Sequence, residues 1–161
     1  MISFIIIGKN EGWRLEKCLQ SITSIIKQDK IVDCEIIYVD SQSTDNSVAL
    51  AKQYGAKVFL IMGECNAAIA RNIGAKEAIG DILFFIDGDM ELFHGFLPKV
   101  LTENDRLEYP FISGIFNDIV HDLDWNYLHT TRRHKLQEGD VDAIQTTTGG
   151  LFIIEHSLWK Q

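Results

Sequence analysis

The sequence predicts an α/β domain: a mostly parallel central sheet with helices packed over it. Three observations carry this. Short apolar runs rich in β-branched and aromatic residues alternate with stretches of helical periodicity through the first hundred residues. Glycines or polar turns separate each run from the stretch that follows. Strands joined through helices in this order pair in parallel, because a parallel neighbour can be reached only by a long crossover.

Residues 2–7 form an apolar strand that Gly8 ends. From 11 to 27 the apolar positions Leu15, Cys18, Leu19, Ile22, Ile25 and Ile26 fall at helical spacing. Residues 35–39 are a second strand, followed by Asp40 and a polar turn through Thr44. Thr44 or Asp45 can cap a helix that runs to Tyr54 and stops at Gly55. A third strand covers 57–61, and an alanine-rich helix covers 66–79, with Gly80 as its stop. Residues 82–86 are apolar throughout, which predicts a strand buried on both faces. Pro98 suits the first turn of another helix ending near Asn104. Beyond Tyr109 the pattern loosens. Residues 111–116 read as a strand, 121–140 as an irregular loop or helix, and 151–154 as a last strand; Glu155 starts an element that the chain does not finish.

Composition narrows the function. A chain of 161 residues suits one domain, and 46% hydrophobic with 24% charged residues is ordinary for a soluble globular protein. No run approaches the ~18 apolar residues that cross a bilayer. The N-terminal run is too short for a signal-peptide core and has no basic leader. Cys18, Cys34 and Cys65 are scattered without metal-ligand spacing and read as buried thiols of a reducing compartment. The expectation is a cytoplasmic protein without a transmembrane segment, a peripheral position at the inner membrane face remaining open. A formal charge of −8 argues against a nucleic-acid partner. To hold an anion such as a diphosphate, this protein needs a cation or a few placed basic side chains.

Three strands end in polar or acidic residues: Gly8-Lys9-Asn10-Glu11, Asp40-Ser41-Gln42-Ser43 and Asp87-Gly88-Asp89. In a parallel sheet all three lie on one edge, where such sheets bind ligands. Asp87 and Asp89 are two residues apart as a strand runs out, so their carboxylates can share a side. A cation relieves their repulsion, and Mg²⁺ or Mn²⁺ takes few protein carboxylates, completing its octahedron with phosphate oxygens and water. Gly88 permits close approach to the backbone. The same spacing also suits a solvated turn that caps the next helix. Asp40 can accept a hydrogen bond from a nucleobase, or simply build an Asx-turn. Arg71 can reach a diphosphate, steady the acidic strand end, or form a surface ion pair; Lys9 is a weaker candidate of the same kind. The run Arg132-Arg133-His134-Lys135 can meet phosphates or be a solvated face. The segment 146–150, with Gly149 and Gly150, can bring backbone amides near a sugar or turn into a strand. The sequence has no P-loop, no Gly-x-Gly-x-x-Gly after the first strand, no Gly-x-Ser-x-Gly and no paired-histidine zinc motif.

Taken in order, Ser3 to Glu11, Ile37 to Asp45, Ala70 to Gly74 and Phe85 to Asp89 resemble the inverting family 2 glycosyltransferases of the GT-A fold. The resemblance covers residues 2 to about 100 and implies a three-layer α/β/α architecture. It also implies transfer of a sugar from a nucleotide-diphosphate donor, UDP-linked in most members, to a saccharide, lipid-linked or other hydroxyl. By position it casts Gly8, Lys9, Asn10, Glu11, Asp40, Ser41, Arg71, Asp87 and Gly88 as donor-binding residues, with Asp40 reading the base. Asp89, with Asp87, would hold Mn²⁺ or Mg²⁺, and Gly149 and Gly150 would lie on the acceptor side. Residues 1–104 are then the nucleotide-binding half and 105–161 the start of the acceptor half of a domain cut short at its C-terminus. No residue matches the catalytic base of the family. Two departures weaken the base preference: Ile7-Gly8-Lys9 stands for Pro-Thr-Tyr, and Asp40-Ser41-Gln42-Ser43 for Asp-Asp-Gly-Ser. A non-catalytic nucleotide-sugar-binding module and a nucleotidyltransferase are the alternatives.

Overall fold

The structure is a computed structural model that describes residues 1–114, 117–132 and 150–159. Its elements are β1 (Ile2–Gly8), α1 (Trp13–Gln28), β2 (Cys34–Asp40), α2 (Ser47–Gln53), β3 (Lys57–Leu60), α3 (Ala67–Glu77) and β4 (Ile82–Asp87). There follow α4 (Leu97–Val100), β5 (Phe111–Ser113), β6 (Asn117–His121), β7 (Tyr127–Arg132), β8 (Leu151–Glu155) and α5 (His156–Trp159).

The main sheet has the order β3-β2-β1-β4-β8-β5. Its β1–β2, β2–β3 and β1–β4 pairs are parallel, while β8 runs antiparallel between β4 and β5. Strand periodicity sorts the side chains of β1 onto two faces. Phe4 and Ile6 join Tyr38, Phe84 and Ile86 beneath Leu15, Cys18, Leu19 and Ile22 of α1 and Ala51 of α2. Ile5 and Ile7 join Val39, Leu83 and Phe85 against Ala70 and Ala75 of α3. Helices therefore cover both faces, and the predicted three-layer α/β/α arrangement is what the chain adopts. Because both faces are covered, β1 and β4 read as unbroken apolar runs rather than alternating ones.

Order reverses between β1 and β4. The chain steps outward from β1 to β2 and β3, then returns to place β4 on the other side of β1. Such a switch point leaves a crevice beyond the carboxyl ends of the strands. At the opposite edge, Glu35 is buried and accepts from Ser3 Oγ at 2.6 Å, Lys57 Nζ at 2.7 Å and the Ile79 amide at 2.8 Å. This carboxylate ties β1, β2, β3 and the end of α3 together.

Several expectations need correction. The first helix starts at Trp13 rather than Glu11, because Gly12 sits at φ 51° and bends the chain into it. The helix around Pro98 is a single turn, and the strand at 111 ends at Ser113. Residues 117–132, part of which reads as a loop or helix in the sequence, form the β6–β7 hairpin. Of the three thiols only Cys18 is fully buried.

Candidate functional site

Register brings the three polar strand ends together: Gly8 lies beside Asp40 on one side, and Ile7 beside Asp87 on the other. A cavity of about 390 Å³ opens there, lined by Ile7, Gly8, Lys9, Glu11, Ser41, Cys65, Asn66, Ala67, Asp87 and Asp89. Six of the residues picked from sequence line it: Gly8, Lys9, Glu11, Ser41, Asp87 and Asp89. Cys65, Asn66 and Ala67 join them, although the sequence assigns these three no ligand role. The signal was available, since every βα turn of a parallel sheet reaches this edge and Asn66 is a good N-cap residue. Its Oδ1 accepts from the Ile69 amide at 2.9 Å and caps α3, whose first residues line the cavity.

Asp87 and Asp89 differ in state. Arg71 on α3 donates to Asp87 Oδ1 at 2.7 Å, so of the roles open to this arginine it steadies the acidic strand end. Burial pushes the Asp87 carboxyl up, Arg71 pulls it back and Asp89 adds to the rise; the net shift is upward. Asp89 is exposed. Among the described residues no group of three or more His, Cys, Asp or Glu side chains gathers to hold an ion. Two carboxylates on one strand end still fit a hard cation that draws most of its shell from phosphate and water. Asp89 would be its open ligand, with Asp87 behind it.

Two glycines sit in close quarters at this edge. Gly88 is buried, and a Cβ there would meet Ile7 O at 3.1 Å and Glu11 Cγ at 3.2 Å. Its small size lets the end of β4 pass close to β1 and Glu11. Gly150 has the closer tie to the site: its carbonyl accepts from the Asp87 amide at 2.9 Å, and a Cβ would meet Asp87 Oδ2 at 2.9 Å and Met90 Cε. Gly149 lies outside the described residues, as do 133–135 of the basic run and Thr146, Thr147 and Thr148.

Asp40 is 2% exposed and does not line the cavity. Its carboxylate accepts from Tyr38 Oη at 3.1 Å and from the Ser43 amide at 2.8 Å, the second being the turn the sequence offered as its other reading. Asn10, at φ 57°, locks the first two loops together: its amide donates to Ser43 Oγ at 2.8 Å and its Oδ1 accepts from the Thr44 amide at 2.7 Å. Burial raises the Glu11 carboxyl, Arg14 opposes this through an ion pair at 3.0 Å, and Asp89 adds to the rise; the net shift is upward. The site is thus an acidic crevice backed by paired arginines and bordered by one helix N-terminus.

A doubly covered, mostly parallel sheet with acidic residues at its switch point defines a class, the α/β proteins that take their ligand at the carboxyl edge. Residues 3–157 match Glycosyl transferase family 2, and the chain belongs to that family. It is 36% identical over 97 residues to the 4,4'-diaponeurosporenoate glycosyltransferase of Staphylococcus haemolyticus, covering 56% of this chain and 24% of that one. An uncharacterized glycosyltransferase of Rickettsia felis is 35% identical over 112 residues, covering 70% of this chain and 34% of the relative. The chain thus spans well under half the length of these relatives. Glucosyl-3-phosphoglycerate synthase from Mycobacterium tuberculosis, solved with Mn²⁺, UDP and glucosyl-3-phosphoglycerate, superposes with a TM-score of 0.58 at 26% identity. That match covers 70% of this chain and 43% of the synthase. The architecture is the GT-A fold of these enzymes.

Proposed function

We propose that this chain forms the donor-binding part of a glycosyltransferase that moves a sugar from a UDP-linked donor to an acceptor hydroxyl, with inversion and with a divalent cation. One observation carries the reading: Asp87 and Asp89 leave the sheet at its switch point, on the wall of the crevice. Family membership and the Mn²⁺ and UDP bound by the mycobacterial synthase support it. Membership also favours this reading over a nucleotidyltransferase.

The residues divide the work. Asp89, with Asp87 behind it, would hold the cation, and Arg71 fixes the Asp87 carboxylate so that it does not swing into the phosphate space. Bound there, the cation would stabilise the charge that develops on the departing diphosphate. The amides at the start of α3 face the same anion, since a helix N-terminus carries partial positive charge. Lys9, Asn10 and Ser41 border the nucleoside, and Asp40 either reads the base directly or holds the loop that does. Gly150 shapes the acceptor side, with Gly149 next to it in sequence.

Calorimetric titration of UDP with Mn²⁺, and again with EDTA, tests the proposal. Binding should need the metal, and Asp89→Ala should weaken it by about tenfold or more in Mn²⁺ while changing nothing in EDTA, the loss of one charge-assisted contact. Equal UDP affinity with and without metal refutes a metal-bridged diphosphate.

A further inference from the structure

The donor site leaves unused a cluster of aromatic side chains that begins two residues beyond Glu11. Trp13, the first residue of α1, meets the Trp125 ring edge-on at 5.5 Å and the His121 ring at 5.9 Å. Tyr127 adds a further edge contact to His121. Yet Trp13 is 40% exposed, Trp125 56% and Tyr127 62%. Large aromatic faces are seldom left open to water in this density without a purpose.

The β6–β7 turn is built to hold Trp125 out. Trp125 sits at φ 62°, an uncommon conformation for a bulky residue. Asp122 maintains it: Oδ1 accepts from the amides of Asp124 and Asn126, each at 2.9 Å, and Oδ2 accepts from Asn126 Nδ2 at 3.0 Å. The Arg14 guanidinium lies 5.4 Å from the Trp125 ring centre and pairs with the cavity residue Glu11. Lys17 lies over Trp13 and pairs with Glu91, two residues past Asp89. The cluster is therefore linked to two of the three strand ends that form the donor site, those after β1 and β4.

We infer that this cluster is a saccharide platform, on which a pyranose ring of the acceptor stacks beside the bound donor. A pyranose turns a face of polarised C–H bonds to one side, and an indole face is electron-rich and apolar, so the two match. The sugar hydroxyls point outward around the ring, where His121 and Arg14 offer polar partners. Charge argues against a membrane as the occupant. The hairpin, residues 117–132, carries Asp118, Asp122 and Asp124 against the single Arg132 and is net acidic, whereas interfacial segments are rich in cations and are drawn to anionic lipid. The inference rests on the glycosyltransferase reading, because an acceptor site is needed only where a donor is bound.

Indole N–H resonances of the 161-residue chain give the test, since Trp13, Trp125 and Trp159 are its three tryptophans. Trp159 packs against Phe85 and Phe152 and serves as an internal control. Methyl β-D-glucoside, methyl β-D-galactoside, methyl α-D-mannoside and methyl β-N-acetylglucosaminide are titrated with UDP and Mn²⁺ present. At least one should shift Trp13 and Trp125 while Trp159 stays. Trp125→Ala should weaken that sugar by at least about tenfold, as loss of an aromatic anchor does, and leave UDP affinity unchanged. Trp125→Phe, which keeps an aromatic face, should retain part of the response, and UDP binding by either variant shows that the sheet is intact. Silence of both resonances toward all four glycosides overturns the platform, as does a sugar response that survives Trp125→Ala. So does a response confined to phosphatidylglycerol vesicles, which would make the patch a membrane contact. Sugar binding without any UDP binding would instead sink the glycosyltransferase reading and leave a simple carbohydrate-binding surface.

Discussion

At the scale of single residues, Asp40 separates two jobs that the sequence leaves open. Its two oxygens each hold an internal donor, so Asp40→Ala strands the Tyr38 hydroxyl and the Ser43 amide in a buried place. The expected cost is about 1–3 kcal/mol of stability, read from urea unfolding, whether or not a base is ever bound. If Asp40 also reads uracil, UDP affinity falls by a further comparable amount while binding of inorganic pyrophosphate is unchanged. A stability loss with normal UDP affinity identifies a turn residue alone. The sequence could show that Asp40 ends a strand and starts a turn, but not that Tyr38, two residues earlier on the same face, would occupy one oxygen. Asp122 gives a parallel lesson. A carboxylate is a type that can serve as a general base, yet hydrogen bonds from Asn126 hold its carboxyl below the ordinary carboxylate range. A group so stabilised as an anion takes up a proton reluctantly.

Elements are where the sequence speaks most clearly. Helical spacing in α1 and the apolar runs of β1 and β4 set both cores, because covered strands must be apolar on both sides. The β6–β7 hairpin was hidden for a physical reason. It lies outside the main sheet and buries little, so its residues carry no period-two pattern for a core to impose. The helix capped by Asn66 and the edge its N-terminus reaches could both be read, but which of its side chains line the crevice could not, since that depends on how α3 lies across β1 and β2. Two predictions belong here. Burial pushes the Glu35 carboxyl up, but the Ile79 amide, Lys57 and Ser3 outweigh it, and its net position is below the ordinary 4.5. The stabilisation it gives is complete above that pH and disappears as pH falls through its lowered folded value. Glu35→Gln should therefore melt below the parent near neutrality, with the gap closing as pH falls below the ordinary 4.5. Calorimetric melting across that range checks the sign. Gly150→Ala should push Asp87 aside and weaken Mn²⁺-dependent UDP binding more than it lowers the melting temperature, a split that a purely structural clash would not give.

For the whole molecule, the charge of −8 works against an anionic ligand. Arg71 and Arg14 are already paired with Asp87 and Glu11, which leaves Lys9 as the basic residue lining the crevice. Any weak UDP binding left without a divalent ion should then strengthen with monovalent salt between about 20 and about 200 mM, because screening weakens a net repulsion. Most phosphate sites do the opposite, and calorimetry at a few salt concentrations decides. The bond from the Asp87 amide to the Gly150 carbonyl has a consequence in time. The ribosome delivers β4 about sixty residues before β8, so at typical synthesis rates of roughly 5–20 residues per second the strand waits several seconds with one apolar edge unpaired. During that wait the nascent chain already has its first three parallel pairings but no firm seat for Asp87. Newly made protein is most exposed to edge-to-edge association in this interval, and a chaperone that shields Ile82–Asp87 would matter more to its yield than one acting on the finished fold.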